Sequence, residues 1–332
     1  MFPNTGLACG RAFVVFLREL AVFLRESALS RPPKSCGILL ACLLATPWAC
    51  ALGAQITIID DNAHYPEGPL WRTGRLLYVE YSTSNIKAWD GGSHEILWHQ
   101  DGCGPSGLIS RGEDLLVACY DGNYLAELTA AGREVRVLRA DSDGRPFAGP
   151  NDFAADDRGG IYFSSSGAYD IKAPITGSVL YLRADGAVTR VATTLHYPNG
   201  LTLTKDRQHL LVAEMLAGRV LSFPIDGSGA LGARSVWARL QDLAPPTPHV
   251  DAYNGPDGLK LGPDGNYYIA QNGSGRLLVV NEDRKLVRIL RVPTSYVTNV
   301  AFDPLEANVV FITGAFDQWN PPFRGAVYRW AR

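Results

Sequence analysis

The chain has 332 residues, of which 46% are hydrophobic and 19% are charged, and its 34 Gly and 21 Pro provide many potential turns. This composition is typical of a globular protein rich in turns, and the length is enough for one large all-β domain or two smaller ones. Residues 1–54 hold five of the 31 Lys and Arg but only two of the 33 Asp and Glu, so the remainder is mildly acidic. A nucleic-acid partner, which needs a basic face, is therefore not expected.

Residues 1–54 have the pattern of a targeting segment. Arg31 and Lys34 precede an uncharged run, Cys36–Ala54, that ends in small residues. A basic flank, an apolar core and a small-residue exit predict a secretory signal peptide, and hence a periplasmic or secreted protein. An uncleaved anchor is the alternative, because this run is just long enough to span a bilayer. Pro47 and the small-residue tail favour cleavage, so we expect no stable membrane insertion of the mature domain.

A short pattern recurs six times in the rest of the chain: a turn triplet, an apolar stretch, a polar turn and a second apolar stretch. The triplets lie 39 to 58 residues apart and begin at Pro66, Pro105, Pro150, Pro198, Pro256 and Val297. Apolar runs bounded by Asp and Gly are typical of hairpins, and a repeat of about 45 residues is typical of one four-stranded propeller blade. The sequence therefore predicts an all-β fold, a six-bladed β-propeller with four-stranded blades. We expect residues 55–332 to form it as a single domain and a monomer.

Closure of such a ring requires the two ends of the domain to meet in one blade. Gln55–Ile59 and Ala326–Trp330 both have the pattern of strands, and we expect them to complete the closing blade together. The longest interval between triplets, 58 residues, contains an insertion over Gln241–Gly255. We expect this insertion to form a loop at the mouth of the channel.

Two cysteines, Cys103 and Cys119, lie outside residues 1–54. Export would let them form a disulfide, because such bonds persist in oxidising compartments. A hairpin that turns near Gly112, however, would place Cys119 opposite Gly107. That register favours a buried free Cys119, and the disulfide stays open as the alternative.

The middle residue of every triplet carries side-chain oxygen. These six residues are Glu67, Ser106, Asn151, Asn199, Asp257 and Thr298. A single Pro-Asn-Gly or Pro-Asp-Gly is an ordinary turn, but the innermost strands of a propeller line its channel, so one slot repeated six times favours a site. Glu67, Asn199 and Asp257 supply two carboxylates and an amide oxygen. This donor set predicts one divalent cation, Ca²⁺ first, with Mg²⁺, Mn²⁺, Zn²⁺ or Fe²⁺ as alternatives.

The segments around these residues resemble the senescence marker protein (regucalcin)/gluconolactonase family, in order and spacing, over residues 60–330. They are Glu67-Gly68-Pro69-Leu70-Trp71, Pro150-Asn151-Asp152, Pro198-Asn199-Gly200-Leu201 and Pro256-Asp257-Gly258-Leu259. The resemblance implies a six-bladed propeller whose one catalytic cation is held by Glu67, Asn199 and Asp257. It also implies that Asn151, with Asp152 beside it, contacts substrate or a water at the metal. Some sugar-lactone members carry Arg where this chain has Gly149, so a polyhydroxylated substrate is less well supported than the hydrolase chemistry.

The predicted function is an exported, metal-dependent lactonase. The cation would polarise the lactone carbonyl, and Asp257 would accept the proton of the attacking water. Asn151, Asp152, Ser106 and Thr298 are the predicted substrate-binding residues. Two alternatives use the same site: a non-catalytic propeller that binds a ligand or partner around a structural cation, and a metal-dependent phosphotriesterase or lyase.

Overall fold

The computed structural model describes residues 55–247 and 253–331, and within them 24 strands form six four-stranded antiparallel sheets. The innermost strand of each sheet contacts the innermost strand of the next, and the sixth contacts the first, so the sheets close into a ring. The predicted six-bladed β-propeller with four-stranded blades is confirmed. The predicted signal peptide in residues 1–54 lies outside the described residues.

The strands follow one another in chain order within the blades, from the channel outward. Blades one to three consist of β2 (Pro66–Arg72), β3 (Arg75–Glu80), β4 (Asn85–Trp89), β5 (His94–His99), β6 (Pro105–Arg111), β7 (Asp114–Cys119), β8 (Tyr124–Leu128), β9 (Glu134–Leu138), β10 (Pro150–Ala155), β11 (Ile161–Ser165), β12 (Gly177–Leu182) and β13 (Val188–Leu195). Blades four and five consist of β14 (Pro198–Leu203), β15 (His209–Glu214), β16 (Arg219–Pro224), β17 (Ser235–Arg239), β18 (Gly255–Leu261), β19 (Tyr267–Asn272), β20 (Arg276–Val280) and β21 (Leu286–Arg291).

The sixth blade joins the two ends of the domain. It consists of β22 (Tyr296–Phe302), β23 (Val309–Ala315), β24 (Arg324–Ala331) and, as its outermost strand, β1 (Gln55–His64). β1 pairs with β24 in antiparallel register, from Gln55 opposite Ala331 to His64 opposite Arg324. The predicted closure by N- and C-terminal strands is therefore confirmed.

Two short helical segments interrupt the blades in the described chain. A single 3-10 turn spans Met215–Ala217, and a one-turn α-helix spans Leu240–Leu243 at the start of the predicted insertion. No helix among residues 55–247 and 253–331 is long and apolar enough to cross a membrane.

The hydrophobic core is divided among the six boundaries between blades. One cluster joins Val79 and Ile86 of the first blade to Leu115 and Val117 of the second, all fully buried. The other boundaries contain equivalent clusters, including the one that joins the sixth blade to the first. Each blade thus buries both of its faces, so apolar residues can occupy both faces of its central strands.

The expectation of a free Cys119 is wrong, because Cys103 and Cys119 form a disulfide with their Cα atoms 4.5 Å apart. The pairing of β6 with β7 has a register shift between Pro105 and Gly107. This shift places Cys119 opposite Pro105 rather than opposite Gly107, two residues closer to Cys103. A regular hairpin, assumed from the sequence, could not show that irregularity.

The same kind of irregularity occurs in every innermost strand and positions the functional side chains. The register of β2 shifts between Glu67 and Leu70, and corresponding shifts occur at the start of the other five. A bulge breaks the two-residue alternation of a strand and re-aims a side chain. Glycine at Gly68 is needed there: its φ is +45°, and a Cβ would lie 2.7 Å from the Cα of Gly107 in the next blade.

Candidate functional site

A cavity of about 210 Å³ lies where the innermost strands begin. Its lining includes five of the six middle residues of the triplets: Glu67, Ser106, Asn151, Asn199 and Asp257. Each comes from a different blade, and each is at least nine-tenths buried. The repeated slot in the sequence therefore corresponds to one place in the fold. The rest of the lining is mostly aromatic.

Two carboxylates reach this cavity with unequal hydrogen bonding. Oε2 of Glu67 accepts the backbone N–H of Gly68 at 2.9 Å. Oδ2 of Asp257 accepts Nδ2 of Asn272 at 2.8 Å, whereas Oδ1 of Asp257 is buried and has no hydrogen-bond partner among the described residues. A buried anionic oxygen without a donor is costly, so this atom is suited to a cation or a proton.

Two amides stand beside these carboxylates. Nδ2 of Asn199 lies 3.6 Å from Sδ of Met215, so its nitrogen faces that sulfur. Asn272 uses its nitrogen to hold Asp257, and its buried Oδ1 has no donor within the described part of the chain. Sequence reasoning identified Asn199 but missed Asn272, because Asn before Gly-Ser-Gly has the pattern of an ordinary turn.

The electrostatics of the cavity favour positive charge. Burial raises the pKa of Glu67 well above its usual value, and the nearby carboxylate of Asp257 raises it further. Burial likewise raises the pKa of Asp257 to about 8, against the opposing effect of the Asn272 and Asn199 amides. Two carboxylates that are hard to ionise together would ionise readily around a divalent cation, which lowers the pKa of both.

These residues fit a hard cation. The donors are carboxylate and amide oxygens, the ligand type that Ca²⁺ and Mg²⁺ prefer. Glu67, Asn199 and Asp257 would hold the ion, and the unpaired Oδ1 of Asp257 supports that assignment. Within residues 55–247 and 253–331, no group of three or more His, Cys, Asp or Glu is arranged to hold a metal. The candidate set here combines two carboxylates with an amide.

Asn151 and Ser106 also line the cavity, but only one has a side chain available to a ligand. The carboxamide of Asn151 has no hydrogen bond to any other described residue. The hydroxyl of Ser106 donates to backbone carbonyls of the neighbouring blade, with Oγ 3.1 Å from the carbonyl oxygens of both Pro150 and Asn151. The carboxamide of Asn151 is therefore free to offer a donor and an acceptor to the cavity, whereas Ser106 holds two blades together.

The remaining two predicted substrate residues do not line the cavity. Both oxygens of Asp152 accept Nζ of Lys260 at 2.9 Å, and Asp152 is 1% exposed. Thr298 is fully buried, and its Oγ1 donates to the carbonyl of Pro66 at 2.8 Å. The structure gives both side chains structural partners across blade boundaries. The bulge that turns Asn151 into the cavity turns its neighbour Asp152 away from it.

Residues 65–316 match the family described as SMP-30/Gluconolactonase/LRE-like region. The pentonolactonase XacC of Haloferax volcanii is 25% identical over 264 residues, which cover 78% of this chain and 84% of that protein.

Two solved structures have the same fold. A gluconolactonase of Xanthomonas campestris superposes with a TM-score of 0.69 at 22% identity, over 84% of this chain and 89% of its own. A calcium-binding protein, regucalcin, from Agrobacterium tumefaciens superposes with a TM-score of 0.68 at 18% identity, over 82% and 92%. At these identities, the two structures establish the fold.

Proposed function

This chain belongs to the SMP-30/Gluconolactonase/LRE-like family, and on that premise we propose that it is a metal-dependent hydrolase that opens a lactone. The observation that carries the proposal is the pair of buried carboxylates, Glu67 and Asp257, in one cavity, with an oxygen of Asp257 unpaired. The names of its relatives, a pentonolactonase and a gluconolactonase, support the same reaction class. We propose Ca²⁺ as the ion, in agreement with the oxygen donors and the calcium-binding relative.

The residues of the cavity would have different roles in the proposed hydrolysis. A divalent cation would polarise the lactone carbonyl and stabilise the negative charge that develops on its oxygen. With Oδ1 of Asp257 on the cation, Oδ2, which accepts Nδ2 of Asn272, would be the oxygen that takes a proton from the attacking water. Asn151 would hydrogen-bond the substrate. Water oxygen joins the carbonyl carbon, the ring C–O bond breaks, and the proton passes to the departing alkoxide, which leaves a hydroxy acid.

We also propose that the mature protein is exported and acts as a monomer. The pattern of residues 1–54 is the basis for export. The Cys103–Cys119 disulfide supports it, because disulfides persist in oxidising compartments. N-terminal sequencing of the protein from separated cell fractions tests this, and a cytoplasmic protein that retains residues 1–54 would contradict it.

The function is tested with a panel of aldonolactones and aliphatic lactones, each assayed with and without a chelator. We expect turnover that the chelator abolishes and that added Ca²⁺ restores. Turnover unaffected by chelation would contradict the metal, and no turnover with any lactone or divalent ion would favour a non-catalytic binding propeller.

A further inference from the structure

Five tyrosines line the cavity and are here called the aromatic wall: Tyr65, Tyr81, Tyr120, Tyr169 and Tyr197. Their rings form a continuous chain of contacts. Centroids are 5.7 Å apart from Tyr65 to Tyr81, 6.2 Å from Tyr81 to Tyr120, 6.2 Å from Tyr120 to Tyr197 and 4.8 Å from Tyr197 to Tyr169. Such spacings are those of interacting aromatic rings. A ligand in this cavity therefore meets aromatic ring surface.

The hydroxyl groups of four wall tyrosines bond to the protein rather than to the cavity. Tyr81 donates to Asp121 at 2.9 Å, and Tyr120 donates to the carbonyl of Gly167 at 3.0 Å. Tyr65 and Tyr169 both donate to Oε1 of Gln318 at 3.4 Å. With their polar ends engaged, these side chains offer the ligand mainly apolar carbon.

Two wall tyrosines hold an unfavourable backbone conformation. The residue directly before the proline of the first four triplets has positive φ, and that slot holds Tyr65, Gly104, Gly149 and Tyr197. Glycine adopts this conformation freely, whereas φ of 50° at Tyr65 and 60° at Tyr197 is costly for an aromatic residue. Strain of this kind persists where it serves a site. Here it places two rings in the cavity lining.

Gly149 leaves room for the Tyr120 ring of the aromatic wall. A Cβ there would lie 2.7 Å from Cε2 of Tyr120, and φ is +61°. A long basic side chain at this position would therefore displace the Tyr120 ring and strain the backbone. Among the described residues that line the cavity, none is Lys, Arg or His. The charged groups of that lining are the two carboxylates, so an anionic substituent on the substrate would find no basic partner there.

A polyhydroxylated substrate is also poorly matched. Each hydroxyl that is buried without a partner costs binding energy, so a sugar lactone needs several free donors and acceptors. The hydroxyl of Ser106 is bonded to backbone, and Glu67 and Asp257 face the proposed cation. Oε1 of Gln318 accepts from two tyrosines, and the hydroxyl of Tyr197 is hydrogen-bonded to Tyr120, so the carboxamide of Asn151 is the main polar group left for a substrate. The lining of this cavity therefore offers a ligand more aromatic surface than free hydrogen-bonding groups.

We propose that the substrate is an uncharged lactone that carries an aryl or other apolar substituent, which packs on the aromatic wall. This inference rests on the proposed hydrolysis, and it adds the substrate class. Tyr169 is a specificity-determining residue, because it lines the cavity and contacts Tyr197 from the loop between β11 and β12, outside the strands.

Three lactones with the same five-membered ring test the proposal: γ-phenyl-γ-butyrolactone, γ-butyrolactone and D-xylono-1,4-lactone. We expect kcat/KM to be up to about tenfold higher for the phenyl compound than for the other two, the upper end of the contribution of one aromatic contact. A higher kcat/KM for xylonolactone overturns the substrate class and leaves the hydrolase proposal intact.

A variant pair locates the effect on the wall. Tyr169→Leu should lower kcat/KM for the phenyl lactone about 3- to 10-fold and change that for γ-butyrolactone less than twofold. Tyr124→Leu is the matched control, because Tyr124 is buried at the boundary of the first two blades, away from the cavity. An equal loss on both lactones in Tyr169→Leu would overturn the assignment of Tyr169.

A binding measurement separates this inference from the hydrolase proposal. Calorimetry with 5-phenylpyrrolidin-2-one and pyrrolidin-2-one, lactam analogues that resist hydrolysis, should show tighter binding of the phenyl compound. Preferential phenyl-lactam binding without turnover of any lactone would support the wall and refute the hydrolase. Equal binding of both lactams would overturn the wall.

Discussion

Buried carboxylates in two regions of the propeller channel differ in whether the protein supplies them with a positively charged partner. In the cavity, Oδ1 of Asp257 has no partner among the described residues. Outside the cavity lining, Asp152 is as buried, but both of its oxygens accept Nζ of Lys260, which also donates to the carbonyl of Phe153 at 3.2 Å. We call Asp152 and Lys260 the channel pair. The protein pairs Asp152 with a cation of its own, the ammonium of Lys260, and among the described residues Oδ1 of Asp257 has no such partner.

The largest expected effect is on kcat and comes from a substitution in the cavity. Asp257→Asn keeps an oxygen that can face the cation but removes the proton acceptor. We expect kcat to fall by roughly 10²–10⁴-fold, the usual contribution of a general base, measured at saturating Ca²⁺. Near-normal turnover would mean that the base lies elsewhere.

The next largest effect is on the free energy of unfolding and comes from a substitution that removes one partner of the channel pair. Lys260→Met leaves the Asp152 carboxylate buried without its cation, which should cost about 3 kcal/mol of unfolding free energy. Chemical denaturation measures this, with the exposed Lys285→Met as control. The double variant Asp152→Asn/Lys260→Met should recover much of the loss. If the double variant is no more stable than the single one, the pair is not the cause.

A third change separates cation binding from folding. Glu67→Gln replaces a charged ligand by a neutral one of equal size, so Ca²⁺ affinity should fall on the order of 10- to 100-fold while the melting temperature of the metal-free protein does not decrease. Calorimetric titration with Ca²⁺ measures the affinity, and the exposed Glu282→Gln serves as control. Unchanged affinity would exclude Glu67 as a ligand.

The smallest effect is on the pH dependence of stability without metal. The pKa of Asp257 rises from 3.8 in the unfolded chain to about 8 in the fold. Its contribution to stability is therefore complete below pH 4 and is lost as the pH rises to about 8. The gain in melting temperature on adding Ca²⁺ should thus grow by several degrees between pH 5 and pH 8. Asp257→Asn should flatten that trend, and a gain that is constant with pH would contradict the shift.

Most of the fold could be predicted from the repeats in the sequence. A turn triplet with a polar middle residue returned six times at blade spacing, which was enough to predict the six blades, their closure and the first candidate residues. Five of the six middle residues do meet in one cavity. Their roles as ligands, base and substrate contacts stay predictions for the experiments above.

Other features of the site could not be predicted, because no local sequence pattern indicates where a strand bulges. Asn151 and Asp152 are adjacent in the chain, and only the bulge in β10 decides that one faces the cavity and the other faces Lys260. A similar bulge in β6 decides that Cys119 meets Cys103. Irregular register depends on the neighbouring strand, so it cannot be read from one segment.

By itself, the sequence determined the ring of six blades and the slot on each innermost strand where polar atoms gather, because hydrophobic and turn patterns are local and repeat. Only the tertiary structure decided which of those atoms reach the cavity and which are paired. The aromatic wall makes the same point: its five tyrosines come from turns and strand ends in four blades, and the slots that some of them share in the repeat do not by themselves show that the rings meet. They meet because ring closure brings distant segments to one end of the channel.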